Sequence, residues 1–125
     1  MVLVNVNSWS PSKKLLGSHI QSLSNLCGVS LNMNAVPGDA SPFRPSGLRL
    51  GSPQITTRGV KPEGAVQIAE ILIQIINLGE KIVQECELEK VSPKEFDAKC
   101  ALHKSEISSI SEHVKIFIKD YPIWA

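Results

Sequence analysis

The sequence lacks the cysteine pairs that mark zinc ribbons and redox dithiols. Its three cysteines, Cys27, Cys86 and Cys100, are widely spaced, and no C-x-x-C motif occurs. No N-x-S/T glycosylation acceptor is present either, which fits an intracellular protein. We therefore expect three free, buried thiols in a reducing compartment.

Strong net charge and long apolar runs are also missing. A net charge of +1 creates no overall field that would attract nucleic acid or an anionic membrane. The most hydrophobic stretch, residues 68–78, is interrupted by polar side chains and is about half as long as the roughly 20 residues of a membrane-spanning helix. The N-terminal residues become polar at Asn5, too early for a signal peptide. We therefore expect a soluble protein that binds neither nucleic acid nor membrane.

Hydrophobic periodicity predicts a mixed α and β chain. Short strands are predicted over residues 1–6, 29–32 and 48–50. Ser10 and Pro11 provide a helix start, and the apolar spacing that follows predicts a helix that ends at Gly28. The segment between residues 37 and 47 is rich in proline and glycine and predicts an irregular loop.

Two long helices are predicted in the second half. One begins near Pro62 and runs to about Glu87, with a middle that is apolar nearly all round, as in a helix packed on several sides. The other begins at a capping box formed by Ser92 and Glu95 and ends at Tyr121-Pro122. Its apolar stripe, broken only by a histidine, comprises Phe96, Cys100, His103, Ile107, Ile110, Val114 and Phe117. The elements predict one α+β domain over residues 1–125, with a small three-stranded sheet covered by helices.

A group of cations is the first candidate for chemistry. No acidic residue lies between Asp39 and Glu63, but that segment contains Arg44, Arg49, Arg58 and Lys61. Arginine holds a carboxylate with two parallel hydrogen bonds, so the segment is a candidate for carboxylate or phosphate recognition. The alternative is that these are solvated loop charges. Arg49 differs from the others because it lies between two leucines in a strand-like run, flanked by glycines that would let the backbone approach a ligand.

Several separated segments together resemble one enzyme family. The segments R-P-S-G-L-R-L-G-S-P (44–53), T-T-R-G (56–59) and L-N-M-N-A-V-P-G-D (31–39) are similar in order and spacing to motifs of the serine hydroxymethyltransferases. The resemblance extends from the first residues to Tyr121-Pro122. It implies the C-terminal small domain of a fold-type I enzyme that uses pyridoxal phosphate, interconverts serine and glycine, and transfers a one-carbon unit to tetrahydrofolate.

The resemblance assigns roles to two residues. Arg49 occupies the position of the arginine that holds the substrate carboxylate, where it would orient the bond to be broken. Asn34 occupies the position of an asparagine at the folate site, where its amide would donate to and accept from the pterin ring. Three positions depart from the family pattern: Met33 replaces a lysine, Ala35 replaces a hydroxyl residue, and Gln54 replaces a small residue.

The family's cofactor-binding lysine has no counterpart here. No lysine of this chain lies in a motif that resembles the Schiff-base site, and such a lysine needs a desolvated pocket. We therefore expect no catalytic or cofactor-binding residue in this chain, and an isolated chain that is inactive without the missing large domain. The resemblance implies a dimer or tetramer in the full enzyme. It also implies a cytoplasmic location, with mitochondria and plastids as open alternatives.

Other functions remain as alternatives. Cys100 and His103 share a helix face and could be two metal ligands, although two ligands do not make a site, and we predict no metal. The chain could instead be an autonomous, non-catalytic interaction module whose apolar helix faces contact a partner. The alternative is that those faces lie in the core. If a large domain normally covers one of them, its exposure in the isolated chain would promote self-association.

Overall fold

The computed structural model describes residues 2–39, 44–51, 59–87 and 90–120. Its elements alternate at first between strands and helices and then become wholly helical. In chain order they are β1 (Val2–Asn5), α1 (Val6–Trp9), α2 (Gly17–Cys27), β2 (Asn32–Asn34), β3 (Gly47–Leu50), α3 (Pro62–Gln84), α4 (Pro93–Cys100), a 3-10 turn (Ala101–His103) and α5 (Lys104–Lys119). The predicted α+β class, with three strands covered by helices, is confirmed.

The three strands form an antiparallel sheet in the order β1-β3-β2. Helix α2 contacts β2 and β3 on one side and α3, α4 and α5 on the other, so it lies between the sheet and the later helices. The core fills both sides of α2 and includes Leu15, Ile20, Leu48, Ile82 and Phe96. Cys27, Cys86 and Cys100 are free and buried in it, as predicted. Burial raises the pKa of the Cys27 and Cys100 thiols to about 11, so both stay protonated at neutral pH.

The prediction for the second strand was wrong in position. It begins at Asn32 instead of residue 29. Gly28 ends α2 in the left-handed conformation (φ 87°), and the Val29 N–H donates to the Ser24 carbonyl. That bond belongs to the C-terminal cap of the helix. Val29 therefore still serves the helix end and cannot begin the sheet.

The predicted helix start at Ser10 and Pro11 was also wrong, because α2 begins at Gly17. Ser10 instead donates its hydroxyl to the buried Glu80 carboxylate (Oγ to Oε2, 2.5 Å), and the Ser12 N–H donates to Oε1 of the same group at 2.9 Å. The Ser10 hydroxyl that suggested a helix cap therefore holds a carboxylate of α3.

The N-cap residue of α2, Leu16, has no capping side chain, and the buried His19 ring forms part of the cap instead. The Leu16 N–H donates to Nδ1 of His19 at 3.0 Å, and Nε2 lies 2.9 Å from the Val91 carbonyl. Because Nδ1 accepts, Nε2 carries the proton and donates. Burial is the main cause that lowers the pKa of the ring, so this neutral form is favoured. The ring also stacks on Phe96, with centroids 4.8 Å apart, and so joins α2 to the start of α4.

The bounds predicted for α3 agree with the structure, but its predicted surroundings do not. Its C-terminal half is buried through Ile75, Ile82 and Val83. In its N-terminal half, Val66 and Ile73 remain 59% and 55% exposed. The described elements cover only one side of this half, so the helix is not packed all round as predicted.

The last predicted helix is interrupted. Its Ser92 cap is confirmed, since Oγ accepts from the Glu95 N–H at 3.2 Å, and its apolar stripe is buried or half-buried. The backbone leaves the α conformation at His103 (φ −114°, ψ 31°), where the 3-10 turn separates α4 from α5. The ring nitrogens of His103 lie 2.8 Å from a Glu85 carboxylate oxygen and 3.1 Å from a Glu106 oxygen. The predicted end at Tyr121-Pro122 lies outside the described residues.

Glu80 provides a test of how the segment after α1 is held. Burial opposes ionisation of its carboxyl, but hydrogen bonds from Ser10, Ser12 and Gln84 outweigh burial, so the pKa of Glu80 lies below its ordinary value of 4.5. A lowered folded-state pKa stabilises the fold above that ordinary value, and the stabilisation is lost as pH falls through the folded-state pKa. We expect Glu80→Gln to lower the free energy of unfolding by about 1–3 kcal/mol near pH 7.

Urea denaturation near pH 7 and at a series of pH values falling from 4.5 measures this effect. The difference between wild type and Glu80→Gln should be largest above pH 4.5 and should shrink as pH falls through the folded-state pKa, because protonation of the wild-type carboxyl removes the same interaction. Glu87→Gln, at an exposed glutamate past the end of α3, is the matched control and should change stability little. An equal loss for both variants, or a difference that does not depend on pH, would disprove the role of the ionised Glu80 carboxylate.

Candidate functional site

The central strand β3 has one face in the core and one face toward solvent. Leu48 is 1% exposed and packs in the core, and its register neighbour Val4 packs beside it. Because side chains alternate along a strand, Arg49 lies on the opposite face, where it is exposed. Its register neighbours there are Leu3 on β1 and Asn32 on β2.

The same face includes the second residue singled out from the sequence. Gly47 is two residues before Arg49, and it pairs with Asn5 on β1 and Asn34 on β2. Residues that are opposite one another in register, or two apart along a strand, share a face. We call this surface the outer sheet face, and it comprises Leu3, Asn5, Asn32, Asn34, Gly47 and Arg49.

Arg49 is the only charged residue of the outer sheet face. Its side chain forms no hydrogen bond or ion pair with the described part of the chain. The remaining groups of the face are three asparagine amides, the Leu3 side chain and a glycine. A guanidinium in such surroundings keeps its donors available for an anion, and its planar fork matches a carboxylate.

The other predicted cations are not on this face. Arg44 is half-buried in the segment before β3, and Lys61 is exposed at the N-terminal cap of α3. Arg58 lies outside the described residues, as do Gln54 and the T-T-R part of its motif. Among the described cations of the segment, only Arg49 therefore lies on the outer sheet face.

The side chain of Asn34 has hydrogen-bonding groups that remain available for a ligand. Its amide nitrogen donates to the adjacent Ala35 carbonyl at 2.7 Å, and its side chain is half-buried. An asparagine amide has two N–H donors and one carbonyl acceptor, so one donor and the acceptor stay unused within the described ranges. Met33 and Ala35, two of the three departures from the family pattern, flank it and are both exposed.

The close packing of neighbouring residues requires a glycine at position 47. A Cβ built on it would lie 2.8 Å from the Asn34 carbonyl oxygen and 2.5 Å from a Val36 methyl group. The sequence suggests that this glycine lets the backbone approach a ligand, whereas its close neighbours are Asn34 of β2 and Val36, two residues past the end of that strand. Its absent side chain therefore allows the loop after β2 to pass close to β3 beside Asn34.

Asp39 joins the described residues on either side of the gap between β2 and β3, and no role was assigned to it from the sequence. Its carboxylate accepts from the Ser46 hydroxyl at 2.5 Å and from the backbone N–H groups of Ser46 and Val36 at 3.0 Å each. These bonds, that of the Ser46 hydroxyl first, lower the pKa of Asp39. The order Pro37-Gly38-Asp39 signals this turn, because proline and a positive-φ glycine (φ 97°) are typical of its two central positions.

The described residues do not support the other chemical options. Both ring nitrogens of His103 contact glutamates and Cys100 is a buried thiol, so the pair does not form a metal site. No group of three metal-ligating side chains occurs in the described ranges. Among the helices of these ranges, none combines the length and hydrophobicity needed to cross a membrane.

Comparison with known proteins agrees with the motifs on the outer sheet face. A sequence model of the serine hydroxymethyltransferase family matches residues 1–72, which include all three strands. Serine hydroxymethyltransferase of Bombyx mori is 32% identical over 109 residues, which is 87% of this chain and 23% of that protein. The cytosolic enzyme of Aspergillus fumigatus is 31% identical over 89% of this chain and 24% of its own length.

A relative from another compartment matches to a similar extent. Serine hydroxymethyltransferase 3, chloroplastic, of Arabidopsis thaliana is 30% identical over 86% of this chain and 21% of its own length. The chain thus spans about a quarter of the length of the curated relatives it matches. The family match covers more than half of the chain and all of the outer sheet face, and the chain belongs to the serine hydroxymethyltransferase family.

Proposed function

We propose that residues 1–125 form the C-terminal small domain of a pyridoxal-phosphate-dependent serine hydroxymethyltransferase. In the complete enzyme this domain would bind serine or glycine and tetrahydrofolate during one-carbon transfer. The observation that carries the proposal is the exposed guanidinium of Arg49, without a partner in the described chain, on the same sheet face as Asn34. The relatives carry the name of an enzyme, and no observation favours a non-catalytic interaction module.

Arg49 is the residue that binds the substrate carboxylate. Two parallel hydrogen bonds between guanidinium and carboxylate fix the plane and direction of the substrate carboxylate. The Cα of the substrate is thereby held at one point, which favours the geometry that the reaction needs. A strand at the centre of a sheet, with a neighbour on each side, gives this residue a rigid base.

Asn34 is the folate-side residue of the same face. Its unused N–H and carbonyl oxygen match the alternating donors and acceptors on a pterin edge. Met33 and Ala35 beside it provide no charged or hydroxyl group. We therefore propose that Asn34 supplies the polar recognition of folate in this segment, and that the substitutions at the two flanking positions weaken binding.

Pyridoxal phosphate does not fit the described residues. All ten lysines lie in the described ranges, and each is exposed or half-buried. A lysine that forms a Schiff base with the cofactor needs a desolvated amine, which none of them provides. The cofactor site therefore belongs to a large domain outside this sequence, and the isolated chain is inactive.

The partner of this domain is accordingly the rest of a family-length polypeptide, assembled as a dimer or tetramer. The exposed Val66 and Ile73 of α3 are apolar surface that such a partner would cover. The relatives have cytosolic, mitochondrial and chloroplastic names. We propose a cytosolic location for this protein.

Spectral titration of the isolated chain with pyridoxal phosphate tests the missing cofactor site. We expect only weak absorbance changes from exposed amines, which dialysis reverses and glycine does not alter, and no conversion of serine with tetrahydrofolate. Exposed or half-buried lysine amines provide no desolvated pocket that would hold the cofactor. Tight binding that responds to glycine, or turnover of serine, would show that one of the ten lysines was wrongly dismissed.

A completed enzyme tests Arg49 directly. This chain would replace the matching C-terminal segment of the Bombyx mori relative, and serine cleavage would be measured with cofactor and tetrahydrofolate present. Arg49→Ala should lower kcat/KM at least about a hundredfold, because two charge-assisted hydrogen bonds are lost. The kcat/KM of Arg49→Lys should lie between those of wild type and Arg49→Ala, because lysine keeps the charge but loses the two-pronged geometry.

Lys94→Ala is the control for loss of a positive charge. Lys94 is exposed in the first turn of α4, away from the outer sheet face, and its replacement should leave kcat/KM unchanged. If Arg49→Ala behaves like Lys94→Ala in a completed enzyme that cleaves serine, the carboxylate role of Arg49 is wrong.

A further inference from the structure

The register of the sheet places Asn32 directly opposite Arg49. Opposite residues of an antiparallel pair have Cβ atoms about 4.5–5.5 Å apart and project from the same face. Both residues are exposed, and neither side chain has a hydrogen bond with the described part of the chain. A short amide therefore lies beside the stem of the guanidinium, with its own hydrogen-bonding groups unused.

A guanidinium that binds one carboxylate still needs further acceptors. It has five N–H donors, and a two-pronged contact with a carboxylate uses two of them. When a ligand and the rest of the enzyme remove water from the face, the remaining donors lose their solvent partners unless the protein provides an acceptor.

The outer sheet face has few acceptors for those donors. Leu3, the other direct neighbour of Arg49, has none, and neither has Gly47. The side-chain amide oxygen of Asn5 (Oδ1) already accepts from the Ser8 N–H at 3.0 Å, where it caps α1. Asn34 is diagonal to Arg49 and faces the folate side in the proposed function. Asn32 is therefore the one direct register neighbour of Arg49 that has a free side-chain acceptor.

We propose that Asn32 is a positioning residue for Arg49. Its amide oxygen accepts from the edge of the guanidinium that the substrate carboxylate does not use, so that the other edge stays directed at the substrate. This inference rests on the carboxylate role of Arg49 given above. It adds a specificity-determining residue from a different strand, which reaches the substrate only through Arg49.

Two replacements of Asn32 separate positioning from a structural role. Asn32→Ala removes the acceptor, and Asn32→Asp provides a charged acceptor that pairs with Arg49 and competes with the substrate carboxylate. In the completed enzyme, Asn32→Ala should raise the KM for serine about tenfold with kcat changed less than about threefold. Asn32→Asp should be the more damaging of the two, with kcat/KM lowered about a hundredfold.

A double-mutant cycle gives a readout that a merely structural residue would not change. In an Arg49→Lys background the guanidinium edge is absent, so Asn32→Ala should lower kcat/KM further by less than about twofold. Asn77→Ala, at an exposed asparagine of α3 with no partner in the described chain, is the matched control and should behave as wild type.

Each result either supports the inference or overturns it. A tenfold effect of Asn32→Ala that disappears in the Arg49→Lys background supports it. An unchanged KM in Asn32→Ala, or an equal loss in both backgrounds, overturns it and leaves the role of Arg49 intact. An enzyme that tolerates Arg49→Ala itself overturns the proposed function instead, so the two failures are distinguishable.

Discussion

Close backbone packing at residues 45–47 joins the separate parts of this fold. The Pro45 carbonyl accepts from the Gly17 N–H at 2.9 Å, and the Ser46 carbonyl accepts from the Val6 N–H at 3.0 Å. A Cβ on Gly17 would lie 2.0 Å from the Gly47 carbonyl oxygen, so the start of α2 touches the start of β3 directly. No larger residue fits at Gly17 without moving one of these elements.

The position of Arg49 follows from this junction. Ser46 connects to Asp39 through both its hydroxyl and its N–H, so Asp39 is held at the same point as the end of β1 and the start of α2. Three residues after Ser46, Arg49 projects from a strand that is fixed at its beginning and paired on both sides. A carboxylate-binding residue gains from such a rigid base, because a small displacement of a positioned group costs much of its effect.

The sequence predicted the fold class, the central strand and the bounds of α3, because these depend on local periodicity and turn residues. It mispredicted the start of α2, because Ser10 and Ser12 bind Glu80, a residue about 70 positions away that no local pattern reveals. The break at His103 likewise involves a residue distant in the sequence, since the Glu85 that contacts its ring is the C-terminal cap residue of α3.

The candidate site, too, could be predicted from the sequence only in part. The motifs pointed to Arg49 and Asn34 separately, but their common face depends on the strand order β1-β3-β2, which puts β3 between two strands that precede it in the chain. Asn32 had no signal of its own before the register was known. Pairing between distant strands is a tertiary property, and single-sequence reasoning does not reach it.

The most direct test of the account is the accessibility of Arg49 to an arginine-selective dicarbonyl reagent such as phenylglyoxal, followed by peptide mass spectrometry. Arg49 should react faster than the half-buried Arg44 in the isolated chain, because its guanidinium is exposed and has no partner in the described residues. In the completed enzyme, saturating serine should protect Arg49 and leave the rate at Arg44 unchanged. If serine gives Arg49 no protection in an active enzyme, the outer sheet face is not where the substrate carboxylate binds.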